Sequence, residues 1–148
     1  MLKNIVIKEV AYQSDLHKKS IQLRYEILRA PLGLQFTEEQ LAEEVNQHHI
    51  VALYNKEIVG VVLLQVLNPT ILKMRQFAVE TTLQKMGIGK ELVQFCEEFA
   101  IKNNYTKIEL HARASAVDFY KKQGYIITSE VFKEVGLPHY KMQIKLTK

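Results

Sequence analysis

The clearest chemistry in the sequence belongs to a short glycine-containing stretch at positions 84–90, QKMGIGK. It follows a run typical of a strand, residues 74–79, and leads directly into a run with apolar residues at helical spacing. A turn between a strand and the start of a helix aims backbone N–H groups and the helix dipole at one point. The glycines permit close approach of a ligand, and Lys85 and Lys90 add positive charge. The stretch therefore predicts a phosphate-binding loop, with a turn that binds no ligand as the alternative.

Three kinds of phosphate loop can be compared with this stretch. A dinucleotide fingerprint requires a third glycine at the position of Leu92. A Walker A loop requires a longer spacing between its glycines and a Ser or Thr after its lysine, where this chain has Glu91. The pattern that remains is Gln/Arg-x-x-Gly-x-Gly/Ala, which Gln84, Gly87 and Gly89 match.

A second pattern occupies positions 116–125, AVDFYKKQGY. Together the two stretches resemble the signatures of the GCN5-related N-acetyltransferases, the GNAT superfamily. The resemblance implies that the first stretch holds the pyrophosphate of acetyl-coenzyme A (acetyl-CoA) and that the hydroxyl of Tyr120 points at the coenzyme A sulfur. A phenol with a pKa of about 10 can donate its proton to a leaving thiolate with a pKa of about 8.5. Tyr120 is therefore predicted to be the catalytic acid, with a role in the core as the alternative.

The resemblance also indicates which other residues contact acetyl-CoA. It implies that backbone N–H groups of the strand before the loop hold the thioester carbonyl. Arg113 stands where many members of the superfamily carry an Asn that contacts the cofactor. The predicted acetyl-CoA-binding residues are Phe77, Ala78, Val79, Gln84, Lys85, Met86, Gly87, Ile88, Gly89, Lys90 and Arg113. No spacing of His, Cys or carboxylate residues indicates a metal site, so no metal is expected.

The acceptor site is expected near the first helices and the closing hairpin, here residues 23–33 and 134–140. These regions mix positive and negative side chains, Arg29 and Glu134 among them, which suits a polar amine. The candidate substrate residues are Arg24, Glu26, Glu80, His111 and His139. Glu80 and His111 are the alternatives for the general base, since a carboxylate or a histidine can accept the amine proton. His139 ends a Gly-Leu-Pro-His run that resembles the ElaA-like branch of the superfamily.

The elements that must position these residues follow the order β-α-α-β-β-β-α-β-α-β-β. The strands are predicted at 4–12, 50–54, 58–67, 71–79, 107–111, 125–131 and 139–146. The helices are predicted at 16–29, after Thr37, after the glycine loop and at 114–122. This order predicts an α/β (α+β) fold with a mixed, mostly antiparallel twisted sheet and helices on both faces. It also resembles the GNAT fold from end to end.

Composition and charge give expectations for the number of domains, the partners and the location of the protein. A chain of 148 residues with 47% apolar and 24% charged residues is expected to form one domain, residues 1–148. The net charge of +4 is spread along the chain, so nucleic acid is not an expected partner. The longest apolar run, residues 58–67, is too short to span a bilayer, so no membrane is expected either. The lone Cys96 cannot form an intrachain disulfide, which favours a reducing, cytoplasmic location. A homodimer is a possible state, because the GNAT fold often dimerises, and the oligomeric state is left undecided.

These features predict an acetyl-CoA-dependent N-acetyltransferase that acts by direct transfer to a primary amine of a small molecule or peptide. The identity of that amine and the choice between an acetyl and a longer acyl donor stay open. The alternative is a non-catalytic acyl-CoA-binding sensor or regulatory module of the same fold.

Overall fold

The computed structural model describes residues 4–147. Within this range the strands are β1 Val6–Val10, β2 His48–Tyr54, β3 Glu57–Asn68, β4 Ile71–Val79, β5 Lys107–Arg113, β6 Ile126–Ile127, β7 Phe132–Glu134 and β8 Leu137–Lys145. The α-helices are α1 Asp15–Arg24, α2 Glu38–Ala42, α3 Ile88–Lys102 and α4 Val117–Lys122. A π-helical turn, Tyr25–Arg29, continues α1, and short 3₁₀ turns span Ala30–Leu32, Thr81–Leu83 and Ala114–Ala116.

The eight strands form one sheet in the order β1-β2-β3-β4-β5-β8-β6, with β7 paired to β8. All neighbours are antiparallel except β4 and β5, which are parallel because α3 connects them across the sheet. The mixed, mostly antiparallel sheet confirms the fold class that the element order predicted.

The parallel pair β4–β5 separates partway along its length. Its pairing runs from Ile71 opposite Lys107 to Met74 opposite Leu110 and then ends. The ladder between β4 and β3 shifts register just beyond this point, and Gln76 of β4 has a left-handed φ of +55°. A bulge of this kind bends its strand away from a partner. The two strands therefore diverge toward the glycine loop and leave a cleft between them.

The two faces of the sheet bury different clusters. One face packs against α3, where Leu92, Val93 and Cys96 are fully buried in the main core. The other face carries a smaller cluster in which Leu23 of α1 packs against apolar residues of β3 and β4. Because α1 covers only part of this second face, the polar residues of β4 and β5 on that side line open space rather than a core.

Two predicted elements differ from the structure. The helix predicted at 16–29 is α-helical to Arg24 and then widens into the π-helical turn. The strand predicted at 125–131 shortens to β6, because the Ser129 hydroxyl accepts the N–H of Lys141 at 2.9 Å where a strand carbonyl would otherwise do so. The chain also forms β7, which the sequence did not predict. Within residues 4–147, no helix is long and apolar enough to cross a membrane.

Candidate active site

A cavity of about 510 Å³ opens where β4 and β5 diverge. Residues of both strands form two walls, and the π-helical turn and the β7–β8 connection close the side away from α3. Tyr120 of α4 and Gln84 at the start of the glycine loop border the side nearer α3. The cavity therefore joins both faces of the sheet, with the two sequence motifs at one end.

The loop at 84–90 leaves backbone donors exposed at the start of α3. Gly87 has a left-handed φ of +89° and caps the helix. The first helical bond runs from the Glu91 N–H to the Gly87 carbonyl at 3.1 Å, so the N–H groups of the first turn have no acceptor within the helix. The Gln84 side chain donates to the Val79 carbonyl at 3.1 Å, which ties the loop to the end of β4. This arrangement suits a diphosphate, because its donors and the helix dipole are directed to one place.

Gly89 in the first turn of α3 lies against the aromatic side chains behind the cavity. A Cβ at this position would come within 3.3 Å of the Phe119 ring and 3.4 Å of the Phe77 ring. The absence of a side chain thus lets α3 begin close to α4 and to the bulged end of β4. The start of the helix and the aromatic wall of the cavity are consequently held next to each other.

Tyr120 is 6% exposed and borders the cavity. Its ring packs against Phe119, Tyr125 and Phe77, with centroids 5.1, 5.7 and 6.1 Å away. None of the described residues hydrogen-bonds its hydroxyl. Burial, with a smaller contribution from nearby Cys96, raises the pKa of this phenol above its ordinary value. Tyr120 therefore carries its proton throughout the neutral range and can act as an acid rather than a base.

Cys96 lies in the core beneath Tyr120 and is fully buried. Burial, followed by the charge of Glu97, raises the pKa of its thiol far above the ordinary value. A thiol that stays protonated and enclosed is a poor nucleophile. Cys96 is therefore a small core residue.

Glu134 of β7 connects two histidines on the other side of the cavity. Its Oε1 lies 2.8 Å from His111 Nδ1, and its Oε2 lies 3.7 Å from His139 Nε2. Partial burial opposes ionisation, but the hydrogen bond and charge of His111 outweigh it, and the pKa of Glu134 is lowered. An ionised carboxylate only accepts hydrogen bonds, so His111 must donate through Nδ1. In neutral His111 the lone pair is then on Nε2, where it can accept a proton.

Comparison with known proteins identifies the family. A model of the acetyltransferase (GNAT) domain matches residues 16–146. The chain belongs to the GNAT acetyltransferase family. The uncharacterized protein YyaT of Bacillus subtilis (strain 168) is 28% identical over 96% of this chain and 97% of its own length.

Solved structures share the GNAT fold over nearly the whole chain. The structure of ElaA from Escherichia coli superposes with a TM-score of 0.80 at 20% identity, covering 94% of this chain and 98% of that one. A GNAT family acetyltransferase from Elizabethkingia anophelis, solved with acetyl-CoA bound, gives a TM-score of 0.77 at 20% identity and covers 98% and 100%. Membership of the superfamily and the predicted fold are thereby confirmed, and ElaA is among the neighbours.

Several of the predicted site residues border the same cavity. They are Phe77, Gln84, His111, Arg113, Tyr120 and His139. The Arg113 side chain donates to the Leu28 carbonyl at 3.2 Å, so it is directed toward the π-helical turn. Lys85, Met86 and Lys90 are exposed on the glycine loop, whereas Ala78, Val79 and Ile88 are buried and do not line the cavity.

Three predicted substrate residues lie elsewhere in the structure. Arg24 is fully buried and bonds both carboxylate oxygens of Glu44 at 2.9 Å. Glu26 is exposed and accepts a hydrogen bond from Gln22 on the surface. The backbone of Glu80 continues the sheet, since its N–H donates to the Val59 carbonyl at 2.8 Å, and its side chain is not part of the cavity wall. Of the two candidate bases, the structure brings His111 to the cavity.

Three polar residues of β4 also line the cavity and were not predicted as site residues: Lys73, Arg75 and Gln76. The signal was present, because Lys73 and Arg75 alternate with the buried Leu72 and Met74. Alternation of this kind is equally typical of a solvated sheet face. Only the divergence of the strands turns that face into the wall of a cavity.

Proposed function

We propose that this protein is an N-acetyltransferase that transfers an acetyl group from acetyl-CoA directly to a primary amine of a small molecule or peptide. The observation that carries the proposal is one cavity that Tyr120 and the His111–Glu134 pair enter from opposite faces of the sheet. An acid and a base on either side of a cleft suit a reaction in which one group gains a proton and another loses one.

The glycine loop and the bulged end of β4 support binding of the acyl donor. The free N–H groups at the start of α3 and the positive φ of Gly87 suit the pyrophosphate, with Lys85 and Lys90 nearby. Beyond Met74, β4 has no partner on its β5 side, so backbone groups near Phe77 are available to the thioester carbonyl. Acetyl-CoA, when bound, supplies an activated acetyl group on sulfur.

The side chains of the cavity divide the proton transfers between them. Nε2 of His111 accepts the proton of the incoming amine, while Glu134 fixes the ring and stabilises the cation that forms. Tyr120 supplies a proton to the departing sulfur from the other side. No covalent acetyl-enzyme is needed, and the buried Cys96 does not serve as a nucleophile.

Calorimetry with acetyl-CoA followed by a thiol-release assay over a panel of primary amines tests this proposal. We expect one molecule of acetyl-CoA per chain and amine-dependent release of coenzyme A. His111→Gln should lower kcat/KM about 100-fold without altering acetyl-CoA affinity, whereas His48→Gln, at a partly exposed histidine outside the cavity, should leave both unchanged. Binding without release for every amine would favour the acyl-CoA sensor, and no binding would exclude both.

A further inference from the structure

The acceptor side of the cavity carries an excess of positive charge. Four basic side chains line it, Arg29, Lys73, Arg75 and Arg113, against the single carboxylate of Glu134. That carboxylate is already bonded to His111 and faces His139. An imbalance of this kind inside a partly enclosed space is unfavourable unless an anion offsets it.

Two of these cations lie side by side, and neither forms an ion pair among the described residues. Arg29 Nη1 and Arg113 Nη2 both donate to the Leu28 carbonyl oxygen, at 3.4 and 3.2 Å. Neither guanidinium has a carboxylate within ion-pair distance in the part of the chain that the structure describes, whereas Arg75 is paired with Glu44 at 3.3 Å. Burial, followed by the charges of Arg24 and Arg113, lowers the pKa of Arg29. Both guanidinium groups keep unused N–H donors next to the cavity.

Arg29 is held in place rather than free in solvent. Its guanidinium lies 4.6 Å from the centre of the Phe36 ring, and Arg24 lies 4.7 Å from the same ring. Arg24 is itself fixed by its bidentate pair with Glu44. A planar guanidinium that is already positioned binds a carboxylate at a lower cost in entropy than a mobile one.

Arg29 also stands between two cavities. A second cavity of about 320 Å³ beside α2 shares Arg29, Arg75 and Gln76 with the first. A molecule that reaches past Arg29 from the His111 side would find space beyond it.

We propose that Arg29 and Arg113 bind a carboxylate of the acceptor, so that the acceptor is an amino acid or another amine that carries a carboxylate. This inference rests on the proposed function, because it assigns the acceptor of that same site. The carboxylate would receive donors from both guanidinium groups, and the amine would lie toward His111. Lys73, which has no ion pair among the described residues, adds positive charge on the same wall.

A binding experiment with product-like probes tests the inference without requiring catalysis. The probes are N-acetylglycine, N-acetyl-β-alanine and N-acetyl-4-aminobutyrate, each paired with its carboxamide, titrated into the coenzyme A complex by calorimetry. At least one acid should bind about tenfold more tightly than its amide, because bonds between guanidinium and carboxylate are charge-assisted. Arg29→Gln and Arg113→Gln should each reduce this preference to about twofold or less.

Controls separate the carboxylate contact from other effects. Lys8→Gln removes one positive charge at the exposed far edge of the sheet and should keep the full preference. Arg29→Lys keeps the charge and loses the planar fork, so it should restore part of the preference. Thermal unfolding confirms that each variant is folded. Acetyl-CoA affinity should stay within about twofold in the Arg29 variants, which separates this site from the pyrophosphate loop.

Each outcome of these titrations either supports the inference or overturns it. Equal binding of every acid and its amide, no binding of any acid, or a preference that survives both glutamine variants would overturn the inference. A preference that depends on Arg29 in a protein that releases no thiol with any amine would support the carboxylate site and contradict the proposed transferase activity.

Discussion

Tyr120 illustrates how one environment can fix the protonation state of a functional group. Its ring is enclosed by aromatic neighbours, and burial opposes formation of the phenolate, so its pKa is raised. The same burial keeps Cys96 as a thiol. Two groups that could otherwise become nucleophiles therefore both keep their protons, and of the two only Tyr120 borders the cavity.

Replacing Tyr120 by Phe tests its role as the acid. The substitution removes one oxygen and keeps the ring that packs against Phe77 and Phe119. We expect kcat for thiol release to fall about 100-fold and the Kd for acetyl-CoA to change by no more than about twofold. Turnover equal to that of the unaltered protein would remove Tyr120 from the mechanism.

His17 gives a prediction about stability and pH. Burial lowers the pKa of His17 to about 4, with further contributions from His49 and Arg24. The unfolded chain, with a histidine pKa near 6.5, binds this proton first, so acid favours unfolding. The free energy of unfolding should therefore fall as the pH drops from 6.5 to 4, with a slope of up to about 1.4 kcal/mol per pH unit from this group.

Urea unfolding at several pH values measures this effect. His17→Leu should show a shallower decline between pH 6.5 and 4 than the unaltered protein, although it loses the Gln13 N–H bond to Nδ1. The half-exposed His48 serves as the control, since His48→Gln should keep the full decline. A slope that His17→Leu leaves unchanged would show that other groups cause the acid sensitivity.

The start of α3, the proposed pyrophosphate site, is capped by a glycine in a left-handed conformation. Gly87 has φ +89°, and Gly33 after the Ala30–Leu32 turn has φ +69° in open space. Alanine at either position should cost about 1 kcal/mol of stability, because both place a Cβ in a strained conformation. Of the two substitutions, only Gly87→Ala should weaken the binding of coenzyme A, by about tenfold. It also disturbs the N–H groups that are proposed to face the pyrophosphate.

Calorimetry with coenzyme A and with pantetheine, which lacks the phosphates, separates a loss of phosphate binding from the general effect of backbone strain. Pantetheine affinity should be the same in Gly87→Ala, Gly33→Ala and the unaltered protein. An equal loss of coenzyme A affinity in both variants would mean that the loop has no special part in phosphate binding.

Local signals in the sequence predicted the elements that local chemistry determines. A helix was predicted after Thr37, and α2 begins there with a capping box in which Thr37 and Gln40 exchange both hydrogen bonds. The order of strands and helices predicted the sheet. The bulge at Gln76 was missed, because a left-handed φ at a residue other than Gly or Asn has no sequence signal, and the surrounding sheet imposes it. The cavity wall was missed because alternation of polar and buried residues is equally typical of a solvated sheet face.

The pairing of distant side chains was also beyond prediction. Arg24 was expected at the acceptor site on the basis of its position alone. In the structure Glu44, which is 4% exposed, holds it away from the cavity. Glu134 and His111 were each noted as polar residues near the acceptor, but their contact across β5 and β7 depends on the register of β8 between them. Such a register is a property of the whole sheet.

In the molecule as a whole, the two proposed binding sites lie on opposite faces of one sheet. The glycine loop, α3 and Tyr120 belong to one face, while His111, Glu134 and the basic residues of β4 and β5 belong to the other. The cleft where β4 leaves β5 is the passage between the faces. A donor and an acceptor that enter from opposite sides would meet there, which suits direct transfer and requires both to be bound at once.

Initial rates of thiol release, measured while acetyl-CoA and a carboxylate-bearing amine are varied together, test this account most directly. Direct transfer predicts double-reciprocal plots that intersect and no release of coenzyme A when the amine is omitted. Parallel plots, or a burst of thiol without amine, would show that the acetyl group first moves to the protein and would contradict the account.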